Sequence, residues 1–455
     1  MSSQAESPLA ALEPDALLEH FDHRFPRPEH YWVGFSGGLD SSVLLNALAA
    51  LRPKLPAPLS AIHIDHNLQS GSARWATHCR AECERLGISL RSLTVDASAG
   101  PGESPEAAAR AARYAAIAAA LGPGAMLLTA HHRDDQAETL LLQLLRGAGV
   151  EGLAAMPAIR EWNLGWHARP LLGLRRELIR AWAVAKRLHW IEDPSNSASV
   201  ADRNYLRHHV MPGLTSRWPG AVESIARSAA HCADAAEAIR LQAAEDLGRA
   251  SSADRLRVEM LRELPVVRAR HLLRHWLRER GVPPLSLRRL SDALDQLCQA
   301  RSDAAVRIVW QGVEMRRFRD QVWLLPEQGR PVEPQTVDWV GEQMRLGPGL
   351  GSVRRKKAPG GIDPGRWEQG RVRIGYRDPG LRCRPAGRSG TRPFKKIAQD
   401  FGIPPWQREI LPIVYIDGVP AAIANCCTCE PFAPADNEPG WLIEWDPDLL
   451  TAEGT

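Results

Sequence analysis

No apolar run in the 455-residue chain reaches the roughly 18 residues of a membrane-crossing helix, so no membrane partner is expected. Met1 to Pro14 hold Glu6 and Glu13 but no Lys or Arg, which does not read as a secretory signal. No G-x-x-x-x-G-K-S/T occurs, which excludes the ordinary phosphate loop with its lysine. No G-x-G-x-x-G follows a strand pattern, which argues against the dinucleotide fingerprint. Zinc-finger spacing, a hydrolytic triad and internal repeats are missing too. The eight cysteines are scattered except for Cys426-Cys427-x-Cys429, so a reduced, cytoplasmic protein is expected. Those three thiols suit a soft metal, but no second Cys/His cluster stands near them in sequence. Cys79 and Cys83, one helical turn apart, read as packing residues.

What is present begins with Ser36-Gly37-Gly38-Leu39-Asp40-Ser41. It follows the apolar run Tyr31 to Phe35 and precedes the helical pattern Ser42 to Leu48, so it reads as strand, glycine turn and helix start. Such a turn aims several backbone N–H groups at one point on the positive end of a helix dipole, which suits phosphate. Gly37 and Gly38 let the backbone approach, and Ser36 and Ser41 add hydroxyls. Asp40 is discordant beside phosphates unless a cation lies between them, and Mg²⁺ is the natural choice.

Between Tyr31 and about Met211, apolar strand patterns alternate with helical ones. This predicts an α/β fold, a doubly wound parallel sheet with helices on both faces. Ligands bind such sheets at the carboxyl ends of the strands, so the Ser36–Ser41 loop, His63 to His66 and His131-His132 should converge. From about Arg217 to Leu325 the pattern is helical. It ends in two strands, Ala305 to Trp310 and Gln321 to Leu325, that read as a hairpin. Pro326 to Pro334 reads as a linker, and beyond Trp339 a small mixed α+β region with one helix, Pro393 to Phe401, is expected. The expected domains are residues 1–216, 217–330 and 331–455.

The net charge of +4 conceals an asymmetry: Ser352 to Arg408 holds fifteen Lys/Arg against four acids, +11, leaving −7 elsewhere. A basic domain beside an acidic body points to a polyanion, and with a nucleotide loop in the same chain to RNA.

His131-His132-Arg133-Asp134-Asp135-Gln136-Ala137-Glu138 is the second motif. Asp134 and Glu138 are four apart and Asp135 and Glu138 three apart, so on a helix they share a face. The set suits Mg²⁺ or a substrate ammonium; the same acids would also serve as an ordinary N-terminal cap.

The Ser36–Ser41 loop resembles the pyrophosphate loop of the ATP pyrophosphatases. Further residues make the resemblance narrower: His131 to Met156, His63-Ile64-Asp65-His66-Asn67-Leu68, Glu106 with Arg110, Arg113 and Tyr114, Arg169-Pro170-Leu171-Leu172, Glu192-Asp193-Pro194-Ser195-Asn196, Arg203-Asn204 and Arg207. Towards the C-terminus, Phe394-Lys395-Lys396 and Ile403 to Arg408 join them. Together these are similar to the tRNA(Ile)-lysidine synthases, over most of Tyr31 to Trp445.

The resemblance implies a sheet of the adenine nucleotide alpha-hydrolase type and an ATP- and Mg²⁺-dependent ligase. Its product would be lysidine at the wobble cytidine of the isoleucine tRNA with a CAU anticodon, formed through an adenylated tRNA and free L-lysine. Ser36, Gly37, Gly38, Leu39, Asp40 and Ser41 would hold ATP, with Asp40 on the metal. Asp134, Asp135 or Glu138 would bind or deprotonate lysine. Arg113 and Arg203 would contact phosphate or cytidine, or serve as structural ion-pair arginines. Two rivals remain at this point: a thiolase sharing the loop, which needs reactive cysteines, and a non-catalytic RNA-binding protein.

Overall fold

The computed structural model describes residues 25–65, 72–96, 98, 105–192, 202–252, 255–301, 304–327, 334–378, 380–435 and 438–447. His66, Asn67, Leu68, the side chain of Glu106, Asp193 to Asn196 and most of the expected linker lie outside them. The chain forms two compact units, Met1–Ala238 and Ile239–Thr455, whose boundary falls within the helix Ala221–Ala250.

The first unit is built on a six-stranded sheet of order β3-β2-β1-β4-β6-β5. The strands are β1 His30–Gly34, β2 Leu59–Asp65, β3 Ser89–Thr94, β4 Ala125–Leu128, β5 Ile159–Trp162 and β6 Gly165–Ala168. All neighbours are parallel except β5 and β6, an antiparallel edge hairpin that the alternating pattern did not predict. Its two-residue turn is possible because Asn163 adopts φ 55. Helices α1 Leu39–Leu51, α2 Ser72–Leu86, α3 Pro105–Ala120, α4 Arg133–Leu145 and α5 Arg176–Ala185 flank the sheet. β4 is buried along its whole length, and apolar clusters cover both faces. One contains Val33, Leu44, Leu48 and Met126 with Cys79 and Cys83; the other contains Ile62, Ile117, Leu121 and Leu127. A sheet covered on both sides leaves its strand ends as the accessible polar surface. Chain order reverses between β1 and β4, which opens the crevice where such sheets bind ligands.

In the second unit, α6 Val266–Arg278 and α7 Leu287–Gln299 pair through Leu272, Leu273, Trp276, Leu290, Leu294 and Leu297. The expected hairpin is instead a meander, because Val313–Phe318 lies between and pairs with Arg307–Trp310 and Gln321–Pro326. Glu314, Arg316 and Arg317 break the apolar pattern of that middle strand. Glu314 is nonetheless fully buried, because Arg307 at 2.6 Å and Arg316 both bond to it.

The C-terminal part of this unit packs antiparallel strands and the helix Phe394–Asp400 around Ile374, Ile397, Ile413, Val414 and Trp445. Here the expectation of reduced cysteines is corrected: Cys383 is bonded to Cys429, and Cys427 completes a trio whose sulfurs lie within 4.8 Å of one another. A bridge between Pro385 and Cys429 brings together thiols 46 residues apart, which spacing could not show.

Candidate active site

The turn after β1 has the expected geometry. Gly37 takes φ +79, and a Cβ there would lie 3.1 Å from Cys79 Sγ and 3.3 Å from a His78 ring carbon, so glycine is required for conformation and for space. Ser36 and Ser41 lock the loop, their hydroxyls 3.0 Å apart, with Ser41 Oγ donating to Gly38 O at 3.1 Å. Ile191 N donates to Gly37 O at 2.9 Å, tying the segment after α5 to the loop. α1 starts at Leu39 with no side chain capping it, which leaves its first N–H groups for a ligand.

Asp40, in the first turn of α1, faces the crevice. Its Oδ2 lies 3.8 Å from His132 Nε2, while its buried Oδ1 has no hydrogen-bond partner, only Arg176 Nε at 3.8 Å. Burial raises the Asp40 pKa, countered by His132 and Arg176. A buried carboxylate oxygen without a donor, beside a phosphate-binding turn, fits a divalent cation.

Across the crevice, β4 runs into α4. His132 caps α4 reciprocally with Asp135: Asp135 N donates to His132 Nδ1 at 3.3 Å, and His132 N donates to Asp135 Oδ2 at 3.0 Å. With Nδ1 accepting, the His132 proton resides on Nε2, 3.4 Å from Asp135 Oδ2. The capping reading of this motif is therefore realised, and the cap holds His132 and Asp135 at the crevice.

The three acids divide. Asp134 turns to α5, where Arg176 N donates to it at 2.9 Å and Arg175 lies at 3.8 Å. Asp135 and Glu138 form one ion-pair cluster with Arg203 and Arg207. Arg203 Nε donates to Glu138 Oε2 at 2.9 Å and its Nη2 to Asp135 Oδ1 at 3.3 Å; Arg207 Nη2 donates to Asp135 Oδ1 at 3.0 Å. Asp135 is held below its usual range: burial opposes ionisation, and His132, Arg203 and His131 outweigh it.

Of the residues singled out beforehand, the Ser36–Ser41 loop, Asp40, Asp135 and Glu138 meet at the switch point, and Arg203 joins them as an ion-pair partner. Arg113 is exposed on α3. Arg207 was quoted in the resemblance but not as a site residue, although its spacing from Arg203 puts both on one helical face. His63 is buried and bonds Phe35 O at 2.8 Å under the loop.

Residues 13–214 match the model of the PP-loop domain, residues 256–323 that of the TilS substrate binding domain and residues 372–445 that of the TilS substrate C-terminal domain. The chain is 41% identical over 424 residues to the tRNA(Ile)-lysidine synthase of Methylococcus capsulatus, covering 92% of this chain and 96% of that protein. It is 42% identical over 427 residues to that of Alkalilimnicola ehrlichii, covering 94% and 96%. Among solved structures, a U34-tRNA thiolase from Methanococcus maripaludis is similar at a TM-score of 0.40 and 17% identity, over 48% of this chain and 77% of that one. With two-fifths of its residues shared with such relatives along nearly their whole length, the chain belongs to the tRNA(Ile)-lysidine synthase family of tRNA-modifying ligases.

Proposed function

We propose that the chain ligates L-lysine to C2 of the wobble cytidine in the isoleucine tRNA with a CAU anticodon, consuming ATP and releasing AMP and pyrophosphate. The observation that carries this is the meeting, across one crevice, of an uncapped helix start, the donor-less oxygen of Asp40 and the arginine-paired carboxylates Asp135 and Glu138. This supports a site for two ligands of opposite charge, a phosphate chain and an ammonium group.

In this reading the Ser36–Ser41 loop holds the phosphates through the N–H groups of α1. Asp40 would hold Mg²⁺, which when bound neutralises charge building on the phosphates. The cytidine carbonyl oxygen attacks the α-phosphorus and pyrophosphate leaves. The lysine ε-amine then attacks C2, and the oxygen departs with AMP. A carboxylate among Asp134, Asp135 and Glu138 would seat the lysine ammonium or take the proton the amine must lose, with Arg203 and Arg207 holding Asp135 and Glu138 in place. Residues 1–216 are assigned the chemistry, and residues 217–330 and 331–455 the grip on tRNA, the last through exposed cations such as Lys395 and Lys396.

A thiolase would need an ionisable thiol near the loop. Burial pushes Cys79, which lies under Gly37, and Cys83 each up to about 12, so both stay protonated and unreactive. The test is incubation with ATP, radiolabelled lysine and total tRNA. Label in one isoleucine tRNA, with little in the methionine tRNA of the same anticodon, is expected; no label in any tRNA would overturn the assignment.

A further inference from the structure

We propose that Arg169, His167 and Thr129 form a one-way hydrogen-bond chain that fixes His131 as an Nε2–H donor in the crevice, to an oxygen of the substrates. The proposal rests on the ATP-dependent ligation just described and adds positioning residues to it.

The direction follows from what each group can donate. Arg169 is buried at the end of β6, and its guanidinium has no acceptor atoms. Its Nη1 donates to Pro157 O at 2.7 Å, and its Nη2 lies 3.3 Å from His167 Nδ1. Burial draws Arg169 down only to about 10, so it remains a cation and a donor at neutral pH. His167 Nδ1 must therefore accept, which leaves the His167 proton on Nε2. That nitrogen lies 2.8 Å from Thr129 Oγ1. Thr129 has one hydroxyl proton. Having accepted from His167, it gives that proton to His131 Nδ1, also at 2.8 Å. His131 Nδ1 thus accepts, and the His131 proton resides on Nε2, the nitrogen on the far side of the ring from Thr129.

The setting agrees. His167 is fully buried against Tyr114 and Trp162, with ring centroids 5.5 and 6.0 Å away, so its ring is fixed and neutral. Burial and neighbouring cations bring His167 to about 2 and His131 to about 3. The chain depends on β4 and β6 being neighbours, which puts Thr129 and His167 side by side. Its outer end, His131, is partly exposed at the carboxyl end of β4, next to the His132 that faces Asp40 and Asp135. A neutral imidazole with its proton locked on Nε2 is a poor base there, because its only basic nitrogen is occupied. It is a preorganised donor, and at this place its acceptor is an oxygen of the ATP phosphates or of the cytidine.

The tests use the full chain labelled with ¹⁵N-histidine, with His131 assigned by its loss in His131→Asn. In the unmodified protein the proposal expects a pyridine-type Nδ1 and a pyrrole-type Nε2 at His131, unchanged from about pH 5 to 8, the range in which a free imidazole titrates. Thr129→Val keeps the shape and removes the hydroxyl. It should mix the His131 tautomers and slow tRNA-dependent pyrophosphate release about tenfold, the worth of one hydrogen bond. Thr129→Ser should restore both. If ATP affinity falls with the rate, the acceptor is a phosphate oxygen; if ATP affinity holds while adenylation of tRNA slows, it is the cytidine. An Nδ1–H tautomer at His131 in the unmodified protein, or a Thr129→Ser variant as impaired as Thr129→Val, would overturn the chain. Because the tautomer is read without turnover, a failed lysine assignment leaves this result standing.

Discussion

Glu138 takes two parallel hydrogen bonds from Arg207, Nε to Oε1 at 2.7 Å and Nη2 to Oε2 at 2.8 Å, as a residue only 2% exposed. This two-pronged pairing fixes the carboxylate plane, and Arg203 then adds a third bond from another direction.

Truncating one partner strips the other of its two-pronged contact in a buried setting, leaving Glu138 with Arg203 alone or Arg207 with Asp135 alone. Arg207→Ala and Glu138→Ala should each lower stability by about 3 kcal/mol or more, whereas the double variant should cost clearly less than their sum. Urea unfolding of the four proteins measures the coupling. Strict additivity would mean that the pair is not energetically linked.

Asp40→Asn should behave differently in the two assays. The raised pKa of Asp40 shows that folding disfavours its charge, so the amide should not destabilise the metal-free protein. Adenylation should fall about 10²-fold or more if a cation there stabilises the phosphates, and Mg²⁺ should no longer raise the melting temperature. A variant with near-normal turnover would place the metal elsewhere.

Stability should fall with acid well before the carboxylates titrate. His131 and His167 have folded values near 3 and 2, below the 6.5 of the unfolded chain. The unfolded state therefore binds more protons in that window, and stability, complete above about 6.5, is lost as pH falls towards 3. The slope is up to about 1.4 kcal/mol per pH unit for each histidine. Denaturant midpoints from pH 7 to 4 test this. His167→Asn should flatten the curve, and an unchanged slope would show that His167 is not the titrating group.

Lys395 and Lys396 stand exposed on the helix Phe394–Asp400. If they meet tRNA phosphates, replacing both with alanine should weaken tRNA binding and lower the log–log salt slope by about 1.5. ATP binding should be untouched. A salt slope identical to that of the unmodified protein would remove this face from the interface.

Where function was legible, it was local. The Ser36–Ser41 loop and His131 to Glu138 are continuous segments whose geometry follows from the strand-to-helix step that contains them. What closes the site is not local: Arg203 and Arg207 reach Glu138 from 65 and 69 residues away. Thr129 meets His167 only because β6 lies beside β4, and strand order is not written in the alternation of apolar residues. The strand Val313–Phe318 escaped because a buried glutamate looks like a surface one until its arginines are known. Cys383 was invisible as a partner for the same reason of distance.

The reciprocal cap of α4 carries a further consequence. His132 and Asp135 are aligned by the first turn of a helix, so the freedom they would otherwise surrender on meeting a substrate is lost once, when the polypeptide folds. A substitution that frays that first turn would disorder these crevice-lining groups and weaken the fold in the same event, leaving little room for variants that are well folded yet poorly aligned.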